Sequence, residues 1–533
     1  MHRTGLVTHH AQNSTDPTDH ISSAPASWVR WVTVTFGVMS AGFAILLLVN
    51  AVFGVVYDTE HFGDTVFILG AAWRVHEGLV PAVDFGHFYG GVMAQGLSAS
   101  MHLFGHGVFV FDYFTLWLTA ALSLAAFVLL RPRISWHGYM ATVLLISTLL
   151  LTRFPLEFSQ SVTQAVSAHS FIYNRFALAV LVVLGLFVAL PEKRGTKDGL
   201  LAGLAGVLTV LVCLTKPTFV VLAAGLPLAL ALQGRWRACI GWGAGLIAST
   251  LLLDPVLARF TGSFDYAMAH VGGHSSIAGL IRKAVQIPLA QPVALSFCIA
   301  GLVYLLHKGA ARKTLLAVVV MTVTGIGLAT TMGGNGNLGQ LALPSLIMAV
   351  LAASEMARQN GGPLSLIATC LVLAFASPHM LNSIGITAEA IGARGQSLIS
   401  QGPYARYVSR PERHDSDQAT QYQMMAEGMT ALTRLGDPTD WGIIADNGIS
   451  FEYALLSRPV SGYPLWARMT APEFAPDRPL AQDVDIVLLG KADHATPVGD
   501  ILKQKMQGRF VPCTQTAHWD IFRRQTLAVP ACR

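Results

Sequence analysis

The chain has 533 residues, of which 53% are hydrophobic and only 12% charged, with a mean hydropathy of +0.52. That balance excludes an ordinary soluble enzyme and places the chain among mainly α-helical, polytopic membrane proteins. The formal charge of +5 is spread over short loops, with no basic run interleaved with aromatics, so nucleic-acid binding is excluded as a function class.

Met1 to Ser27 is rich in His, Ser, Thr and Asp and lacks an apolar core. A disordered cytoplasmic tail without a cleavable leader is expected there. At about 20 apolar residues per crossing, spans are expected near 31–53, 109–130, 136–152, 171–190, 199–215, 218–232, 238–257, 285–306, 314–331, 338–354 and 363–381. That makes about eleven crossings within a transmembrane domain over 28–384. Arg and Lys mark every second loop: Arg131 and Arg133, then Lys193, Arg194 and Lys197, then Arg235 and Arg237, then Lys308, Arg312 and Lys313, then Arg358. Short cytoplasmic loops are enriched in these residues, so the amino terminus is expected inside and the carboxyl-terminal tail exported. Arg74, Arg153, Arg175, Lys216, Arg282 and Lys283 fall on the opposite face.

After the first span comes Tyr57-Asp58-Thr59-Glu60-His61-Phe62-Gly63-Asp64, three carboxylates and an imidazole beside hydrocarbon. A carboxylate in that position costs several kcal/mol of desolvation unless water, a partner or a metal offsets it, which makes the segment a candidate site. Apolar spacing then predicts a short helix along the membrane interface, starting near Asp64, ended by Gly78 and blocked by Pro81. A second interfacial helix is expected over Val92 to Phe104. Asp64 also suits a plain helix cap.

Among the six cysteines, Cys213, Cys239, Cys298 and Cys370 lie in or beside apolar spans and read as small core residues. Cys513 and Cys532 lie in the tail, where an exported, oxidising location favours a disulfide. From about residue 385 onward the composition turns polar and reads as a small exported α/β domain over 385–533. Its expected elements are a helix over Asp415 to Leu435, strands at Trp441–Ala445 and Asp483–Leu489, a short helix between Gly499 and Met506, and a hairpin from Phe510 to Phe522. Asp446-Asn447-Gly448 reads as a turn.

An acid after the first span, an amphipathic helix, the Gly78-Leu79-Val80-Pro81 turn, and Asp84-Phe85 followed by Tyr89-Gly90 together resemble the GT-C glycosyltransferases. The likeness is to their bacterial branch similar to protein O-mannosyltransferases and lipid A aminoarabinose transferases. It covers the loop over 57–108 well and elsewhere rests on span count, orientation and the exported tail. The resemblance implies a multi-pass protein of the bacterial inner membrane that moves a sugar from a polyprenyl-phosphate donor to a lipid, glycan or protein acceptor on the exported face. It places the loop carboxylate at Asp64, with Thr65 where the family commonly has a second acid and Asp58 or Glu60 as alternative sources of that group. Asp84, His87 and Tyr89 become candidate substrate contacts, and inversion at the anomeric carbon is implied by the family alone.

The chemistry asks for such residues. An acceptor hydroxyl attacks only as a carboxylate takes its proton, a contribution of about 10²–10⁴-fold, and the departing lipid phosphate calls for cations or a metal. Arg175, Lys216, Arg282 and Lys283 are the candidate cations, each also suited to snorkelling at a span end. The turn Gly333 to Asn337 with Gln340 is a candidate for contacts to sugar hydroxyls. His61, with His87 and the nearby acids, is a candidate holder of a divalent metal, although no zinc-type spacing is present. The alternative from another class is a multi-span transporter or flippase of an envelope lipid or glycan, against which stands the lack of internal repeats. An O-antigen ligase or polymerase, with its elaborated loop late in the chain, and a scaffold with vestigial acids are the remaining rivals.

Overall fold

The computed structural model describes residues 27–58, 62–87, 90–152, 169, 172–190, 197–257, 316–317, 319–324, 355, 363–409, 416–447, 449–463, 479–491, 496–529 and 532. The expected spans at 285–306 and 338–354 lie outside these residues, as does most of 314–331.

Helices α1 (Ser27–Phe53), α4 (Val110–Leu130), α5 (Trp136–Leu151), α6 (Ile172–Ala189), α7 (Asp198–Cys213), α8 (Val221–Leu232) and α9 (Trp236–Leu257) follow the expected apolar runs in order. Helix α10 (Pro363–Gly392) is one continuous helix that passes the expected domain boundary at 384. Among the described residues five helices are long and apolar enough to cross a membrane: α1, α4, α6, α9 and α10. Helices α5, α7 and α8 are apolar but shorter. Against the expected eleven or so spans, the described residues hold five long and three shorter apolar helices, with a 3₁₀ turn at Pro217–Val220 leading into α8.

Every residue of α6 is buried, so this helix forms the centre of the bundle. Helix α5 packs between α1 and α6, and α10 closes against α1 and α5. Helices α7 and α9 approach most closely, because glycines leave their backbones bare. A Cβ at Gly245 would stand 2.1 Å from the Gly203 carbonyl oxygen, and one at Gly241 1.9 Å from that of Gly199. Small residues of this kind are what tight helix pairs in lipid require, since no hydrophobic effect drives their association there. The outward faces of α1 and α9 carry Trp31, Val38, Ile45, Ile240, Leu251 and Leu252, an apolar surface suited to lipid.

The two ends of the bundle differ in charge. At one end, Arg133 and Arg235 converge on Asp198, with N···O distances of 2.8 and 2.7 Å. Their guanidinium carbons sit 4.4 and 5.0 Å from the Phe187 ring centre. Arg133 also donates to the Leu190 carbonyl at 2.8 Å, and Ser135 donates to Glu355. This basic end gathers residues that the sequence assigns to cytoplasmic loops. The other end carries the first loop and the carboxyl-terminal domain.

In that loop, strand β1 (Val56–Asp58) leads to α2 (Phe62–His76), and α3 (Gly91–Phe104) follows. Helix α2 ends as the sequence predicts: Gly78 has φ +91°, and its N–H closes back on the Val75 carbonyl. Its environment differs from the expectation. An interfacial helix should keep one wet face, whereas every residue of α2 from Thr65 to Arg74 is buried. The carboxyl-terminal domain covers the side that α3 leaves open.

That domain joins the loop by a parallel pairing of β1 with β2 (Tyr407–Ser409). It contains α11 (Ser416–Leu435), β3 (Ile443–Ala445), α12 (Phe451–Leu455), β4 (Ile486–Gly490), α13 (Pro497–Met506), β5 (Phe510–Gln515) and β6 (Trp519–Arg524). Its sheet has the order β3-β4-β6-β5, with β3 and β4 parallel and the other pairings antiparallel. Trp519 is fully buried between sheet and helix, and its indole N–H donates to the Met424 carbonyl at 2.8 Å. Asp446 turns the chain after β3 and accepts from the Gly490 N–H at 3.0 Å, a structural role that agrees with the turn reading.

Cys513 on β5 is bonded to Cys532, 19 residues away, which ties the end of the domain to the sheet. A loop of this size stabilises by roughly 3 kcal/mol in the chain-entropy view. Replacing both cysteines by alanine should therefore lower the unfolding midpoint of the carboxyl-terminal domain by several degrees in a thermal scan. An unchanged midpoint would show that the bridge contributes nothing to stability.

Candidate active site at the loop end of the bundle

Asp64 stands in the first turn of α2, half-buried, where the helix dipole favours a carboxylate by about 0.3–1 kcal/mol. Because the helix starts at Phe62, Asp64 lies inside the first turn and not at the cap position. The neighbouring Thr65 is fully buried, so the position where the resemblance would have a second acid faces the interior.

Lys216 lies in the linker between α7 and the 3₁₀ turn. The linker is fixed by backbone contacts with the first loop: Gly90 N–H donates to the Thr215 carbonyl at 3.0 Å and Val92 N–H to that of Leu214 at 3.2 Å. Residue 90 has to be glycine for this approach, since a Cβ there would lie 1.7 Å from the Leu214 oxygen. The Lys216 ammonium sits 5.4 Å from the Tyr173 ring centre and 5.5 Å from that of Phe219. Burial among these groups pulls its pKa down to about 8, and the Asp64 charge acts in the opposite direction, favouring the ammonium. Asp64 and Lys216 are therefore electrostatic neighbours, although 152 residues separate them in sequence.

Arg175 occupies the first turn of α6 beside Tyr173 and is 3% exposed. It donates a hydrogen bond to the carbonyl of Thr152 at the end of α5. At the same end of the bundle the structure adds a pair that the sequence reading missed. Asp112, in the first turn of α4, places Oδ1 3.7 Å from Nε2 of His169, and both side chains are buried. The signal was present, since Asp112 is the sole acid in its apolar run and an acid there is a functional candidate by default. It lies at the edge of the run, where an acid in the first turn of a helix is common. His379 and Asn382 on α10 are likewise buried polar residues.

Two expected substrate contacts take other positions. Asp84 accepts from the Val80 N–H at 2.7 Å and closes the turn after α2, and its carbonyl accepts from the Gly462 N–H at 2.6 Å. His87 is 2% exposed and stacks on Phe67 at 5.5 Å between ring centres. Burial, with Arg74 nearby, lowers its pKa to about 3, so it is a neutral packing residue at physiological pH. Asp58 pairs through its backbone with Ser409. Glu60, His61, Tyr89, Arg282 and Lys283 lie outside the described residues, as does the turn at Gly333 to Asn337. Among the described residues no group of three or more His, Cys, Asp or Glu side chains is placed to hold a metal ion.

No protein-family model matches this chain, and no curated protein matches it in sequence. Two solved structures of an Archaeoglobus fulgidus oligosaccharyltransferase align with it. One is archaeal AglB in complex with an inhibitory peptide and a dolichol-phosphate, at 12% identity. The other is the Archaeoglobus fulgidus oligosaccharyltransferase in the apo form, at 13% identity. Each alignment covers 95% of this chain and 75% of the other, with a TM-score of 0.41. The likeness is too loose to fix either fold or chemistry.

The Asp64–Lys216 relation makes a prediction that needs no substrate. Asp64→Asn removes the charge that favours the ammonium, so Lys216 should titrate below 8. Acylation of Lys216, followed by mass spectrometry across a pH series, should show its reactivity rising at lower pH in the variant than in the wild type. Superimposable profiles would mean that Asp64 does not act on Lys216.

Proposed function

We propose that this chain is a membrane glycosyltransferase of GT-C type that uses a polyprenyl-phosphate sugar donor, with Asp64 as the general base. The observation that carries this reading is the linker of Lys216, bonded to the first loop through Gly90 and Val92 and within electrostatic reach of Asp64, at the loop end of an apolar bundle, opposite the Arg133–Asp198–Arg235 cluster. A carboxylate and a buried cation that act on each other electrostatically match the two demands of the transfer: a proton to be taken from the acceptor and a phosphate charge to be held. The resemblance of the first loop to GT-C enzymes supplies the reaction class.

In this reading the acceptor hydroxyl lies against Asp64, which takes its proton as the oxygen attacks the anomeric carbon. The bond from that carbon to the phosphate oxygen breaks, and polyprenyl phosphate leaves with the electron pair. Lys216 holds the phosphate from the linker side, and Arg175 adds positive charge from the start of α6. Aromatic rings around Lys216 limit access of water, which strengthens each of these interactions. The loop end faces the exported side, as the Arg and Lys pattern of the opposite end implies. Asp58 and Glu60 remain candidates for a second acid on the same loop.

Purified protein in proteoliposomes, supplied with a panel of polyprenyl-phosphate sugars, should release polyprenyl phosphate. Asp64→Asn should lower that turnover by about 10²–10⁴-fold while leaving the fold intact by circular dichroism. Full turnover in the variant would remove Asp64 as the base, and no turnover by the wild type with any donor would remove the reaction class.

A further inference from the structure

Helix α2 carries Asp64 in its first turn and Arg74 in its last, ten residues or roughly 15 Å further along the axis. Both ends are held by the carboxyl-terminal domain. At the first, the Phe62 ring packs 5.4 Å from Tyr407 and 5.3 Å from Tyr422, centre to centre. At the last, Arg74 makes a two-pronged ion pair with Glu452 of α12, Nε to Oε2 at 2.7 Å and Nη2 to Oε1 at 2.8 Å. Both side chains are 2% exposed. Arg74 also donates to the Tyr463 carbonyl, Glu452 accepts from the Val460 N–H at 3.0 Å, and Trp73 donates to the Ser457 carbonyl at 2.9 Å. The guanidinium lies 5.1 Å from the Phe85 ring centre, which ties the turn after α2 to the same point.

A fork-to-fork pair of this kind fixes direction as well as distance. A buried charge without its partner is costly, so neither side can slip along the helix without losing its match. An α-helix of four turns is stiff, so fixing its last turn fixes the height and rotation of its first.

We propose that Glu452 is a positioning residue for Asp64: through Arg74 it locks the rotation and axial setting of α2, so that the carboxyl-terminal domain sets how the loop carboxylate stands toward Lys216. The catalytic importance of that setting rests on the glycosyltransferase reading; the mechanical link does not. The domain thereby acts on the site from about 15 Å away without touching substrate.

Two variants test the link in the full-length protein. Glu452→Gln keeps the shape but removes the charge. Arg74→Met combined with Glu452→Leu removes both partners, leaves no uncompensated buried charge and restores packing. Lys216 acylation across pH reports the Asp64–Lys216 relation whether or not any sugar donor is used. The proposal expects both variants to move the Lys216 profile toward that of Asp64→Asn. It also expects kcat for a polyprenyl-phosphate donor to fall at least tenfold with KM nearly unchanged, even where the double variant regains the wild-type melting temperature. A Lys216 profile identical to wild type in both variants, or a double variant that recovers kcat together with stability, would overturn it. Absence of turnover in the wild type would defeat the glycosyltransferase reading alone, and the Lys216 profiles would still decide the link.

Discussion

The constraint on which this structure depends is that hydrocarbon and packed protein tolerate a charge only beside an opposite one. With 12% charged residues the chain has few charges to place, and among the described residues several buried ones lie in separate islands. One is the Arg133–Asp198–Arg235 cluster at the basic end. Another is Arg74–Glu452, between the first loop and the carboxyl-terminal domain. Asp112 with His169, and Asp64 with Lys216, lie at the loop end. The first island closes the bundle where the sequence places cytoplasm. The second joins two parts of the chain more than 370 residues apart into one unit. In the last, the Asp64 charge favours the ammonium form of the buried Lys216.

The join between loop and domain explains the burial of α2. A helix lying on a membrane would keep Arg74 in water, where its charge needs no partner. Here the carboxyl-terminal domain lays α11 and α12 over the helix, and Glu452 makes the interior position of Arg74 tolerable. Backbone pairing of β1 with β2 and the Trp73–Ser457 hydrogen bond extend the same seam. Loop and domain thus form a continuous platform above the bundle, with Asp64 at its edge next to the linker that carries Lys216.

Much of this was legible in the sequence, and the rest was not, for physical reasons. Runs such as Ser27–Phe53 and Val110–Leu130 announce themselves because apolar length is a local property. Gly78 and Pro81 likewise end α2 through local backbone chemistry, and Asp64 falls in its first turn as expected. The partners of these residues are not local. Nothing in the residues around Arg74 points to Glu452, and nothing near Lys216 points to Asp64, since each pairing exists only once distant helices pack. The same limit made His87 look like a ligand-facing imidazole, although it stacks on Phe67 in the interior. Nor does anything near Asp112 in the sequence point to His169.

The central claim is that the Asp64–Lys216 end receives a lipid-linked phosphate, and binding across pH tests it most directly. A phosphate monoester completes its second ionisation near pH 6, so above pH 7 the changing charge is that of Lys216, whose pKa lies at about 8. Titration of polyprenyl phosphate into the protein in nanodiscs should give an affinity that falls as pH rises through about 8. Lys216→Met should bind more weakly and without that dependence. Wild-type binding that is flat across this range, or unchanged affinity in Lys216→Met, would contradict the account.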